Sequence, residues 1–139
     1  MIEIDNIFAG YGKCEILHGV SLFVPAGKIT TLIGANGSGK STLLKALLHF
    51  LPLTSGEIRV GGVPIDKFSR TDLAKKIAYL PQSKTVPDIT AERLVLHGRF
   101  PYLNYPRKYR KEDIAIAREA MEQMGILEFS DRLMAELSG

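Results

Sequence analysis

One nine-residue segment constrains what this 139-residue chain can be. Positions 34 to 42 read Gly-Ala-Asn-Gly-Ser-Gly-Lys-Ser-Thr and fill every fixed place of the pattern G-x-x-x-x-G-K-[ST]. Glycines allow backbone N–H groups to approach phosphate oxygens without a Cβ in the way, while Lys40 can reach the terminal phosphates and the Ser41 hydroxyl can ligate Mg²⁺. The segment therefore predicts a phosphate-binding loop. The dinucleotide pattern G-x-G-x-x-G is excluded, because it needs a glycine where Thr42 stands.

The residues on either side of this loop predict a strand and a helix. Residues 29–33 are β-branched or apolar and predict an interior strand of a parallel sheet. Apolar residues then recur at positions 43, 44, 47, 48 and 51, the spacing of one helix face, and Pro52 provides a stop. The helix would begin near Lys40, so its unpaired N–H groups and the positive end of its dipole would face a bound phosphate.

The rest of the chain changes from mixed strand and helix to helix alone. Strands are predicted at 1–7, 20–24, 57–60, 63–65 and 77–80, with a turn at 9–12, a Gly61-Gly62 hairpin turn, Pro64 on a sheet edge and a short helix at 71–76. Two further helices are predicted, one from Thr90 to Gly98 and one from about 111 to 124, in which Met121 and Met124 fill the core. These patterns predict an incomplete mixed α/β core over 1–82 and a helical subdomain over 83–139.

The bulk composition excludes several kinds of chemistry. The net charge of +3 is too balanced to predict nucleic-acid binding by itself. Cys14 is the single cysteine, so no internal disulfide can form, and the three histidines lie far apart without metal-ligand spacing. Residues 1–5 do not resemble a signal peptide, and no run approaches eighteen apolar residues. If the protein acts at a membrane, we expect it to do so by binding a partner protein.

Basic and aromatic residues are concentrated in one segment, residues 99–111, which we call the basic-aromatic loop. It holds five basic residues, four aromatic residues and no acid. Such a mixture binds nucleic acid, lies on an anionic membrane surface or docks on another protein, and it can also be a solvated loop whose aromatic rings pack back on the domain. Its two prolines stiffen it, which favours docking.

Several short motifs, in order along the chain, resemble the nucleotide-binding subunit of an ABC transporter. Tyr11 stands about two dozen residues before the phosphate loop, where that family has an aromatic residue that stacks on adenine. Residues 52–62 resemble the family's loop and hairpin, Leu80-Pro81-Gln82 its Q-loop, and Leu137-Ser138-Gly139 the opening of its L-S-G-G-Q signature. No guanine-reading N-K-x-D sequence is present, which weakens the alternative of a GTPase.

The resemblance implies a fold, cofactors and site residues. The fold would be an α/β ABC-type P-loop domain, truncated to an N-terminal antiparallel β part, a partial RecA-like core and a helical subdomain. ATP and Mg²⁺ would be the cofactors, Lys40 and Gln82 the catalytic residues, and Ser41 and Gln82 the metal contacts. The residues implied to bind ATP are Tyr11, Gly34, Ala35, Asn36, Gly37, Ser38, Gly39, Lys40, Ser41 and Thr42, with Ser138 and Gly139 as remnants of a contact to the partner's ATP.

The chain stops three residues into that signature, before the family's Walker B carboxylate, catalytic glutamate and switch histidine. The resemblance therefore implies the N-terminal part of a longer, homodimeric ATPase. We expect these 139 residues alone not to hydrolyse ATP, to expose apolar surface and to self-associate.

A narrower resemblance lies at Gly98-Arg99-Phe100-Pro101. A G-R-x-P sequence in this place is similar to the importers of iron-siderophores, haem and vitamin B12, which implies that the basic-aromatic loop faces a multi-span permease at the cytoplasmic side of the membrane and that no nucleic acid is bound. A soluble ABC-type ATPase of DNA repair or translation is the first alternative, and a metabolite kinase is a weaker one.

Overall fold

A four-stranded antiparallel sheet is the framework of the first part of the chain. The computed structural model describes residues 1–82 and 86–137. Its strands are β1 (Ile2–Tyr11), β2 (Cys14–Val24), β3 (Ser55–Val60) and β4 (Val63–Pro64), in the spatial order β2-β1-β3-β4. The predicted Gly-Gly hairpin joins β3 to β4, and Pro64 lies on an edge strand, where its missing N–H leaves no gap in the ladder. Both of these predictions are confirmed.

A helix that follows the phosphate loop packs on this sheet and contributes to its core. Helix α1 (Lys40–Leu47) buries Leu43 and Ala46 in the same cluster as Ile7 of β1 and Ile58 of β3. Ile7 and Ala46 are fully buried. The helix ends earlier than Pro52, because His49 takes a positive φ of +57° and the chain turns there.

Three predictions about this part of the chain are wrong. Residues 29–33 and 77–80 form no strand, because no described strand lies beside either segment to share hydrogen bonds. Ile29, Ile33 and Leu80 are 98%, 87% and 93% exposed, which agrees with the expected exposure of apolar surface. Residues 9–12 are not a turn either, since β1 continues to Tyr11 and the turn lies at 12–13.

The chain divides into two compact units, Met1–Ile77 and Ala78–Gly139. The first also contains the short helix α2 (Arg70–Ala74), where Ser69 Oγ accepts the N–H of Asp72. The second contains α3 (Ala91–His97) and α4 (Lys111–Gln123). The predicted boundary between residues 82 and 83 stays a prediction.

Within the described ranges, no helix is both long enough and apolar enough to cross a bilayer.

The two helices of the second unit begin and end close to where the sequence predicts. Thr90 Oγ1 accepts the N–H of Arg93 at the start of α3, and Gly125, with a φ of +67°, follows the end of α4. Met121 is fully buried, but Met124 is 75% exposed, so the prediction that Met124 fills the core is wrong. Met124 lies just beyond the last residue of α4, where the chain turns away from the packed face.

A buried carboxylate joins the end of the α3 segment to the start of α4. Asp113 Oδ1 accepts Arg99 Nε at 3.1 Å, and its Oδ2 accepts the backbone N–H of Arg110 at 3.0 Å. Asp113 is only 7% exposed. The hydrogen bond from Arg110 holds the pKa of Asp113 below its usual range; partial burial opposes this, and the Arg99 guanidinium adds to it.

Two glycines with positive φ make a matched test of how closely β1 and β3 approach each other. A Cβ on Gly56 (φ +85°) would lie 2.3 Å from the Asn6 carbonyl oxygen, whereas a Cβ on Gly61 (φ +60°) has nothing within 4 Å. Gly61→Ala should therefore lower the free energy of unfolding by only about 1–2 kcal/mol, the cost of placing a Cβ in the left-handed backbone region. Gly56→Ala should cost at least about 1 kcal/mol more in urea unfolding, because the strands must separate. Equal losses would contradict the clash.

The Asp113 carboxylate should make the stability of the chain depend on pH in acid. Because its folded pKa is lowered, the ionised group contributes stability above its unfolded pKa of about 4, and this contribution is lost as the pH falls through the folded value. The melting temperature should drop in Asp113→Asn near pH 6, and the gap to wild type should narrow as the pH falls below the unfolded pKa and through the lowered folded pKa. Asp88→Asn, at an exposed position of the same unit, is the control. A gap of constant size would contradict this linkage.

Candidate functional site

The predicted phosphate loop leads directly into α1, and two of its glycines adopt a left-handed backbone conformation. Gly37 and Gly39 have φ values of +81° and +90°, in the left-handed region that disfavours other residues. Gly39 is also the residue before the helix, and its carbonyl accepts the N–H of Leu43 at 2.8 Å. A Cβ on Gly39 would lie 3.1 Å from the Leu17 side chain on β2. The start of α1 is therefore fixed by both backbone conformation and packing.

The electrostatics of the loop favour an anion. The first turn of α1 contains no acidic residue, and the N–H groups of Lys40, Ser41 and Thr42 have no carbonyl four residues earlier within the helix. Lys40 Nζ lies 2.7 Å from the Gly34 carbonyl oxygen and 2.6 Å from that of Ala35. The ammonium group is thus held at the loop itself, where it adds a full positive charge to the helix dipole.

The other side chains of the loop have different environments. The Ser41 residue is exposed, whereas Thr42 is 7% exposed and packs with the core face of α1. Beside the loop is a cavity of about 250 Å³, whose lining includes Gly34 and Lys40 of the loop together with Leu17 and Leu43. The lining therefore combines loop residues with apolar side chains from the sheet and helix.

The donor set at the loop fits Mg²⁺ only in combination with phosphate. Among residues 1–82 and 86–137, no three His, Cys, Asp or Glu side chains lie close enough together to hold a metal ion. Mg²⁺ commonly keeps several waters and takes one or two protein oxygens together with substrate phosphates. The exposed Ser41 hydroxyl is suited to be such an oxygen.

Tyr11 lies at the end of β1 in the same unit as the loop. Its residue is 47% exposed, so part of the ring is open to a ligand. The ammonium nitrogen of Lys45, on α1, lies 5.4 Å from the centre of the Tyr11 ring. Lys45 is not among the site residues that the sequence motifs predict. The available signal was its position one helical turn after Ser41.

Gln82, Ser138 and Gly139 are the remaining predicted site residues. Gln82 is exposed in a segment without regular secondary structure. Ser138 and Gly139 lie outside the described residues. The roles of all these side chains in binding ATP, Mg²⁺ or a partner's nucleotide stay predictions.

The basic-aromatic loop has a defined structure. It opens with a short 3-10 turn at Phe100–Tyr102. The Arg99 guanidinium lies 4.2 Å from the Tyr102 ring centre, and that of Arg107 lies 4.7 Å from the Phe100 ring centre. Tyr105 is 97% exposed. Cations cover two of the rings and a third faces solvent, so these rings do not form a packed core.

Comparison with known proteins identifies the family to which a chain with this loop and fold is similar. The family model described as ABC transporter matches residues 17–139. The chain is 37% identical over 139 residues to the iron(3+)-hydroxamate import ATP-binding protein FhuC of Bacillus subtilis (strain 168), which covers 99% of this chain and 52% of that relative. It is 40% identical over 141 residues to the zinc transport system ATP-binding protein TroB of Treponema pallidum (strain Nichols), covering 99% and 51%. The chain thus spans about half the length of the curated relatives it matches.

A solved structure agrees with the fold. The crystal structure of a nucleotide-free ATP-binding cassette from an ABC transporter superposes with a TM-score of 0.84 at 26% identity, covering 99% of this chain and 58% of that one. The fold class and family expected from the motifs are confirmed. The family model covers most of the chain, and the solved structure that it resembles is of the same type. The chain therefore belongs to the ABC transporter family.

Proposed function

We propose that this chain is the ATP-binding part of an ABC importer subunit, which couples ATP binding and hydrolysis to uptake of a ligand through a membrane permease. The observation that carries the proposal is the phosphate loop at the start of α1, where Gly39 fixes the helix N-terminus and Lys40 Nζ is held at the loop. The names of the relatives, import and transport system ATP-binding proteins, support the importer role. We propose that the protein acts at the cytoplasmic face of the membrane. We propose no nucleic acid as a partner.

The proposed roles of the residues follow from their chemistry. N–H groups of the loop and of the first turn of α1 bind phosphate oxygens, and Lys40 adds a charge-assisted contact that strengthens as charge develops in phosphoryl transfer. Ser41 and Gln82 would hold Mg²⁺, which supplies electrostatic stabilisation of the phosphates. Tyr11 stacks on the adenine. Ser138 and Gly139 would contact the nucleotide of a second subunit in a homodimer.

Removing the Lys40 ammonium tests the nucleotide site. Lys40→Ala should weaken binding of a fluorescent ATP analogue by roughly 1.5–3 kcal/mol, or about ten- to a hundredfold, because a charge-assisted contact to phosphate is lost. Lys67→Ala, an exposed lysine away from the loop, is the charge-matched control. A titration in which wild type and Lys40→Ala bind the analogue equally would sink the proposal.

For the transported ligand we propose an iron-siderophore, haem or cobalamin-like molecule. Two observations support this choice: the G-R-x-P sequence at 98–101 and the identity to an iron(3+)-hydroxamate import protein. The identity to a zinc transport protein favours a metal ion as the second candidate. We propose the basic-aromatic loop as the surface that contacts the permease, since it combines an exposed tyrosine with cations that have no carboxylate partner among the described residues, including Arg107 and Lys108.

Charge reversal in this loop tests the docking surface. Arg107→Glu combined with Lys108→Glu should abolish copurification with the cognate permease and leave ATP affinity unchanged, because the loop is separate in sequence from the phosphate site. Lys67→Glu with Lys76→Glu is the matched control. Testing permeases of the siderophore and zinc types also separates the two ligand classes. A loss of DNA binding with a steep salt dependence would instead support the nucleic-acid alternative.

A further inference from the structure

The contact between Lys45 and Tyr11 carries an inference that rests on the proposed function and deepens it. The Lys45 ammonium lies 5.4 Å from the centre of the Tyr11 ring, within the range of a cation–π interaction. Lys45 forms no ion pair with any carboxylate in the described parts of the chain. Nothing else described therefore competes with the ring for this cation.

The main chain of Lys45 is anchored. Its carbonyl oxygen accepts the N–H of Phe50 at 2.9 Å and that of Leu51 at 3.2 Å, which fixes the last turn of α1. Helical side chains lean toward the N-terminus, so the lysine stem lies over the turn that contains Ser41. Lys45 thus reaches from a rigid helix, next to the phosphate loop, to the tyrosine at the end of β1.

We propose that Lys45 is a positioning residue for the nucleotide base: its ammonium packs on one face of the Tyr11 ring and presents the other face to the adenine. A half-exposed tyrosine side chain would otherwise lose rotational freedom when the base binds. With the cation against it, the ring is already ordered in the folded chain before the nucleotide binds. Lys45 acts through Tyr11 and need not touch the phosphates.

The first test compares a nucleotide with a ligand that has no base. Lys45→Met keeps the apolar stem and removes the charge, whereas Lys45→Arg keeps a cation. Calorimetric titration of the wild-type chain and these variants should show ATP binding weakened about two- to fivefold in Lys45→Met and retained in Lys45→Arg. Inorganic pyrophosphate should bind equally to all three. Lys67→Met is the control for loss of one positive charge.

Two outcomes of this test overturn the inference. An equal weakening of ATP and pyrophosphate in Lys45→Met would show that the charge acts on the phosphates. Unchanged ATP affinity in that variant would show that the contact does not matter for binding, while leaving ATP binding itself intact. If the wild-type chain binds neither ATP nor pyrophosphate, the proposed function fails and this inference fails with it.

The second test asks whether Lys45 acts through the tyrosine. In a Tyr11→Leu background, Lys45→Met should cause no further loss of ATP affinity, because the ring on which it acts is gone. Losses that add in the double variant would overturn the inference. A melting curve for each variant checks that it is folded before its ATP affinity is compared with that of the wild type. Lys45→Arg, which keeps the cation, is the reference variant.

Discussion

The fixed start of α1 is the constraint on which the rest of the proposed nucleotide site depends. A helix N-terminus attracts phosphate only if it is held where its N–H groups converge, and a helix of eight residues is not stable by itself in water. Packing holds it here: Leu43 and Ala46 are buried against the antiparallel sheet, and Gly39 approaches Leu17 so closely that only a glycine fits easily. The core of the first unit therefore serves to aim the backbone donors of the loop.

How much of this could be read from the sequence depends on the range of the interaction. The phosphate loop, the Gly61-Gly62 hairpin and the cap at Thr90 were predicted because the determinants lie within a few residues of each other. The strands predicted at 29–33 and 77–80 were wrong because apolar, β-branched composition shows only that a segment suits a sheet. A strand also needs a neighbour, and the four described strands pair among themselves.

Side-chain partners show the same limit. Asp113 stands in the first turn of α4, where an acid suits the helix dipole, but the sequence does not show that it also binds Arg99, fourteen residues earlier. The interaction orders both ends of the basic-aromatic loop, since Arg99 is its first residue and Arg110, near its end, supplies the backbone N–H that the same carboxylate accepts. One buried carboxylate thus restrains a loop whose other cations stay available, because it uses one guanidinium and one backbone donor.

In the proposed function, two lysines on α1 serve the two halves of nucleotide recognition. Lys40 lies at the loop, against the Gly34 and Ala35 carbonyl groups, and Lys45 lies against the Tyr11 ring. Phosphate attraction is strong but does not distinguish one nucleotide from another, whereas stacking depends on how the ring is oriented. Both lysines are carried by one short helix whose buried face packs on the sheet, so the proposed phosphate contacts and the proposed base contact share a single support. Any change that tilts α1 should therefore weaken both contacts together, while a change confined to either side chain should weaken only one.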